Sequence, residues 1–315
     1  MKIASTFLGA AVVALTAAAP ALAEYPERPV TLLIPFSPGG GSDVGARTYE
    51  PYLEECLGQD VVIVNKPGAG GELGFAELAQ TTPDGYTIGY LNMPNMATGA
   101  ITKDAPWTID SFAYVGNVIG SRVTLSVPNQ SEIQTLDDLV AYAKENSPVA
   151  LSVSGIGGDD HLMALRFSKL AGFDFNVIPF GDGASSRAAL MGGHVQVGSM
   201  SNSEAALYQD RFRTLGVMDS ERSSFLPDIP TFQEQGYDIV GGSTQVIGAP
   251  AGTPDEVIQK WSDCLGQVVN DPAFLEDAQT RALPLAYMTA EEAEQFVRAE
   301  NEQLKALWES DPWIE

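Results

Sequence analysis

Twice within its first quarter the chain passes from a short apolar run into a helix-like one through a glycine-rich turn. The turns are Ser37-Pro38-Gly39-Gly40-Gly41-Ser42-Asp43 and Pro67-Gly68-Ala69-Gly70-Gly71. A strand that feeds a helix through glycines belongs to α/β folds, and it has a chemical consequence. Without Cβ atoms, consecutive backbone N–H groups can converge on one point, and the helix that follows adds its positive end. Such a turn holds a carboxylate or phosphate without Lys or Arg. The spacing of the first turn does not fit G-x-G-x-x-G, which argues against a dinucleotide site.

The anion cradles matter because the chain itself is anionic, with 41 Asp plus Glu against 17 Lys plus Arg and a formal charge of −24. Such a field repels nucleic acid and anionic membranes, and both are excluded as partners. Residues 1–23 have the anatomy of a cleaved secretory signal: Lys2, an apolar stretch over 3–19, then Ala21-Leu22-Ala23 ahead of Glu24. Its removal takes away Lys2 and no acid. No later stretch approaches the roughly 20 apolar residues of a bilayer span, so the mature product is expected outside the cytoplasm and soluble. Cys56 and Cys264 are the two cysteines of the chain. In an oxidising compartment they can form one disulfide, or remain two buried thiols packed as small hydrophobes.

Strand-like and helix-like runs alternate along the sequence. Residues 30–36, 61–64 and 87–91 read as buried strands, with helices over about 43–57 and 73–80. Pro51 is expected to kink or split the first helix, and Gly58 to end it. A second series has strands at 122–127, 149–153, 175–180, 195–199 and 214–218. One helix there is opened by Thr135 and Asp138 in a capping-box spacing, and another covers 161–170. The last portion returns to helices, one with Thr253 as N-cap and Pro254 at its first position, the other announced by Thr289 and Glu292. The alternation predicts mostly parallel sheets, with ligands outside the carboxyl ends of the strands. Residues 152–161 and 179–183 give two more strand-to-helix loops, so two lobes each contributing a pair would grip a ligand from opposite sides.

These residues resemble a known family. Tyr25-Pro26-Glu27-Arg28-Pro29, Ile34-Pro35-Phe36 leading to the triple glycine and Asp43, Asn65-Lys66-Pro67-Gly68-Ala69-Gly70-Gly71 and Pro83-Asp84-Gly85-Tyr86-Thr87 are similar to the Bug receptors, the substrate-binding proteins of tripartite tricarboxylate transporters. The likeness continues through Met191-Gly192-Gly193-His194-Val195, Leu226-Pro227-Asp228-Ile229-Pro230-Thr231 and Ala249-Pro250-Ala251-Gly252-Thr253-Pro254. The resemblance implies a periplasmic, two-lobed α/β receptor of type II-like binding-protein fold. In that reading it closes on a small organic carboxylate, delivers it to a two-subunit permease, and works as a monomer without cofactor or metal. Carried over by position, the ligand set is Ser37, Gly39, Gly40, Gly41, Ser42 and Asp43 with Ala69 and Gly70 from the first lobe, and Ser154 and Gly155 from the second.

Hinge crossings are expected near 123–127 and 245–250. They divide the chain into lobe I, residues 24–124 and 245–315, and lobe II, residues 125–244. The departures from the family pattern concern specificity. Gly158, Asp159 and Asp160 stand where many relatives carry Ser or Thr and neutral residues, Asp182 stands where a Lys-Gly pair is common, and residues 241–245 lack an aromatic. Extra acids beside an anion site oppose a second carboxylate. They either bind an ammonium or hydroxyl end of the ligand, with Asp182 in the site, or only cap helix N-termini. His161 and His194 read as hydrogen-bonded packing residues, and Asp43 with Arg47 as an i, i+4 ion pair. No nucleophile motif accompanies either histidine, so the chain is not expected to be an enzyme. A secreted hydrolase and a ligand-sensing receptor for a signalling partner are the alternatives.

Overall fold

The computed structural model describes residues 25–310 and 312–314; the segment 1–23 read as a secretory signal lies outside the described residues. The elements run β1 (Val30–Ile34), α1 (Gly41–Leu57), β2 (Val61–Asn65), α2 (Glu72–Gln80), β3 (Thr87–Met93), α3 (Asn95–Thr102) and β4 (Phe112–Pro128). Then come α4 (Leu136–Asn146), β5 (Val149–Val153), α5 (Asp159–Ala171), β6 (Phe175–Pro179), α6 (Gly183–Met191), β7 (Val197–Ser201), α7 (Asn202–Leu207) and β8 (Phe212–Val217). The chain finishes with β9 (Gly242–Pro250), α8 (Asp255–Val268), α9 (Pro272–Thr280), β10 (Leu285–Met288) and α10 (Ala290–Ser310).

The strands form two lobes joined through β4, in the order β2-β1-β3-β9-β4-β7-β5-β6. Along its 17 residues β4 changes partners. Phe112 to Arg122 pair with β9, whereas Val123 onward pairs with β7 and, from Thr124, also with β8. One continuous strand therefore belongs to both sheets. The expectation of mostly parallel sheets holds where strands are joined by helical crossovers, in β1–β2, β1–β3, β5–β6 and β5–β7. Every pairing of β4 and β9 is antiparallel. These are the two strands that carry the chain between the lobes in opposite directions, with no helix to reverse them.

Each lobe has its own core. In one, Leu32, Ile34, Tyr49, Leu53, Trp261 and Leu265 pack α1 and α8 onto one sheet face, while Phe75, Met96, Trp107 and Val297 fill the other. In the second, Leu125, Leu139, Leu151, Phe167 and Phe232 do the same work. Cys56 of α1 and Cys264 of α8 are joined in a disulfide with Cα atoms 5.6 Å apart, stapling the returning C-terminal helices to the N-terminal half. α1 runs through Pro51 without splitting, because Pro51 sits on the exposed face where water can hydrate the carbonyl it leaves unpaired. Gly58 ends the helix in the left-handed conformation, φ 70°, its N–H bonded to the Glu54 carbonyl. Thr253 is not the N-cap of α8. Its Oγ1 donates to the Pro250 carbonyl at 2.8 Å and Pro254 takes the cap position. Among the described residues no helix is long and apolar enough to cross a membrane.

Candidate functional site

The carboxyl ends of β1, β3, β5 and β7 and the crossing strands β4 and β9 surround a cavity of roughly 90 Å³ between the lobes. That is about three waters' share of liquid volume, enough for a compact solute. Lobe I contributes Phe36, Ser37, Gly40, Gly41, Ser42, Asn92 and Asn95. The facing wall holds Ser154, Asp159, Asp160, Asp182, Ser201 and Glu204, and the crossing strands add Ser121, Ser243 and Gln245. Among the described residues no Lys, Arg or His lines it.

The cavity-facing end of α1 is built by its glycines. Gly40 is the N-cap, with extended backbone and no side-chain cap, because glycine has no oxygen to offer the first-turn amides. The first intrahelical bond is Val44 N–H to the Gly40 carbonyl at 2.9 Å, which leaves the N–H groups of Gly41, Ser42 and Asp43 ahead of the ladder. The positive end of a 17-residue helix is thus open toward the cavity.

The Asp43 carboxylate braces this turn instead of facing the cavity. It accepts from Gly39 N–H at 2.9 Å, Arg47 Nε at 3.0 Å and Asn65 Nδ2 at 3.0 Å, and Asn65 Nδ2 also donates to the Phe36 carbonyl at 3.0 Å. Burial opposes its charge, but hydrogen bonds from Arg47, Gly39 and Asn65 outweigh that and hold the carboxyl below its usual range. The Asp43–Arg47 pair expected from the i, i+4 spacing forms at 3.0 Å.

Of the positions carried over as ligand contacts, Ser37, Gly40, Gly41, Ser42, Ser154 and Asp182 lie on the cavity wall. Gly39, Asp43, Ala69, Gly70 and Gly155 do not. Gly39 spends its N–H on Asp43, and Ala69 is exposed. Gly70 and Gly155 meet backbone to backbone across the cleft, so that a Cβ on Gly155 would stand 3.0 Å from the Gly70 Cα. That contact closes the cavity's edge, as do two hydrogen bonds between the lobes: Ser37 Oγ to Asp182 Oδ2 at 2.7 Å, and Thr98 Oγ1 to the Gly157 carbonyl at 2.8 Å.

On the opposite wall the helix N-termini are already occupied by their own acids. Asp182 caps α6, accepting from Ser185 N–H at 2.8 Å. Asp160 accepts from the backbone N–H groups of Ser154 and of His161, the latter at 2.9 Å. Burial pushes the Asp160 carboxyl up against these hydrogen bonds, and burial with the facing Asp160 charge pushes Asp159 up as well. Glu204 caps its own helix start through Ser201 and pairs with the buried Arg187. His161 takes Gly157 N–H on Nδ1 at 3.0 Å, and burial lowers it to about 4, so it packs neutral and fixes the turn.

Several wall residues were not singled out from the sequence. Ser201-Asn202-Ser203-Glu204 is a capping box, legible as Ser-x-x-Glu at a helix start. Ser121 and Ser243 meet at Oγ–Oγ 3.0 Å only because β4 and β9 pair in that register, which no local motif announces.

Two α/β lobes closed over a cavity, with an uncapped helix end facing into it, define a solute-binding receptor of the periplasmic binding protein class. Residues 46–311 match the family described as tripartite tricarboxylate transporter family receptor, and the chain belongs to that family. It is 33% identical over 316 residues to a UPF0065 protein in the gbd 5′ region of Cupriavidus necator, covering 98% of this chain and 96% of the relative. The solved structure of the periplasmic binding protein BugD matches with a TM-score of 0.84 at 28% identity, covering 91% of this chain and 98% of that one. A structure of R. palustris Rpa4515 with adipate has the same fold, with a TM-score of 0.86 at 23% identity over 91% of this chain and 98% of that one. The chain is accordingly a binding protein and not an enzyme.

Proposed function

We propose that the protein is an exported receptor that captures a small organic carboxylate between its lobes and delivers it to a membrane permease of two subunits. The observation that carries this reading is the uncapped N-terminus of α1, open to an interlobe cavity that offers an anion no side-chain cation. The carboxylate takes the N–H groups of Gly41 and Ser42. An adipate-bound neighbour of the same fold is in keeping with such a ligand.

Residues 24–124 with 245–315 form lobe I and 125–244 lobe II in this reading, with hinges near 123–127 and 245–250. The change of partners along β4 supports these limits. Ligand contacts from both lobes exist only when they are shut, so binding shifts an open and closed equilibrium toward closure. Export through residues 1–23 to the periplasm agrees with the Cys56–Cys264 bond, since disulfides persist in oxidising compartments.

Thermal unfolding against a panel of mono-, di- and tricarboxylates, aromatic acids and amino acids tests the reading. A true ligand raises Tm with concentration, by about 2.7 kcal/mol of added stability at 100 times Kd. A panel in which no acid moves Tm contradicts it.

A further inference from the structure

Trp313 follows α10, which ends at Ser310 ahead of Pro312, and its side chain is only 8% exposed. Its cover comes from both lobes. On the lobe I side Trp308 of α10 packs against it with ring centroids 4.9 Å apart, and Met96, Val297 and Leu304 belong to the same apolar cluster. From lobe II, Leu162 of α5 enters that cluster. The loop ahead of α5 also closes over the indole. A Cβ on Gly157 would stand 3.3 Å from Trp313 Nε1 and 2.9 Å from Thr98 Oγ1, so the absence of a side chain permits the approach.

This seam is tied to the cavity. Gly157 directly precedes the turn that presents Asp159 and Asp160 to the facing wall, and its N–H is held by His161 Nδ1 at 3.0 Å. Its carbonyl takes Thr98 Oγ1 at 2.8 Å. Loop and helix therefore move as one body with lobe II. Separating the lobes draws Gly157 and Leu162 away from Trp313 and returns apolar surface to water, which costs free energy in proportion to the area exposed. A second contribution has the opposite sign. The Trp313 Nε1–H is buried without a hydrogen-bond partner, and an unmade bond opposes the shut arrangement. The seam thus favours closure without locking it.

We propose that Trp313 is a positioning residue for solute capture: lying outside the cavity, it clasps the Gly157 loop and α5 and so sets how often the lobes stand closed. The inference rests on the closure reading above and adds what holds the closed state. Where the closed form is the one that binds, the apparent Kd is the intrinsic value divided by the closed fraction, so Trp313 scales the affinity for every ligand by one common factor.

Single-molecule energy transfer between dyes on Gln80→Cys in lobe I and Lys144→Cys in lobe II, both exposed positions, reads the interlobe distance with no ligand present. The native cysteines are consumed in their disulfide and take no dye. Trp313→Ala, or removal of residues 311–315, is expected to lower the ratio of closed to open molecules roughly 3- to 30-fold, the range for residues that couple parts of a protein without touching ligand. Trp313→Phe keeps a ring and loses the unpaired N–H, so its ratio should return to within about 3-fold of the unsubstituted protein or exceed it. A Trp313 that only packs lobe I lowers Tm in the alanine variant and leaves the distances as they were, which overturns the proposal. A phenylalanine variant as open as the alanine one overturns it too. The two levels of failure are separable. Two distances populated equally in all the proteins reject the role of Trp313 alone, whereas one and the same distance in every protein removes the open and closed equilibrium, and the closure reading falls with it.

Discussion

Substituting proline for Gly41 removes one N–H from the proposed anion site while sparing the helix. Gly41 is the first residue of α1, where proline's fixed φ suits the helix and its missing N–H interrupts no ladder bond. The preceding Gly40 already has the extended backbone, ψ 167°, that a residue before proline requires. A Cβ at position 41 finds its nearest neighbour, Ser201 Oγ, at 3.9 Å, an ordinary contact. The fold is therefore retained, with Tm unchanged or slightly raised because the unfolded chain loses freedom, worth about 0.4–1 kcal/mol. A hydrogen bond to a charged group contributes about 1.5–3 kcal/mol, so the carboxylate Kd should rise roughly 10- to 150-fold by isothermal titration. Gly41→Ala keeps the N–H and adds the same Cβ, so its Kd should stay within about 3-fold of the unsubstituted protein. Equal affinity in the proline and alanine variants would refute the assignment of these amides to the ligand.

Two further outcomes follow from the geometry. The Cys56–Cys264 bond spans 208 residues, and closing a loop of that length restricts the unfolded chain by about 5 kcal/mol in the chain-entropy account. Cys56→Ser with Cys264→Ser should lower Tm by on the order of 10 °C with carboxylate Kd unchanged, and an unshifted Tm contradicts the stapling role. Asp159 has a folded-state pKa raised by burial and by Asp160, so it contributes stability below its unfolded pKa that is lost as pH climbs through the folded value. The ligand-free protein should lose Tm as pH rises from about 4 through neutrality, and Asp159→Asn should flatten that slope; an identical slope in the variant rejects it.

The sequence made local structure legible and left long-range register hidden. The triple glycine located the start of α1 because its signal is local, and the Thr135/Asp138 and Thr289/Glu292 pairs form the capping hydrogen bonds their spacing announces. β4 was visible only in its second half, because Gly116, at φ 152°, and Gly120 interrupt the pattern where the pairing with β9 shifts register. A strand read at 195–199 is β7 at Val197–Ser201, and that two-residue displacement concealed Ser201 and Glu204 as cavity wall. The roles of Asp43 and Asp182 show a different limit. Spacing located both carboxylates beside the glycine turns, but only the partners folding brings in, Asn65 for one and Ser37 for the other, reveal that one braces the turn and the other bridges the lobes.

The central claim is that backbone amides at the head of α1 receive the ligand's carboxylate. The ¹H–¹⁵N amide resonances of Gly41 and Ser42, followed while a binding acid is titrated, test it most directly. The account predicts that these two move downfield together and saturate with the calorimetric Kd, as N–H groups do when they donate to an anion. A ligand that binds while both resonances stay fixed would contradict it.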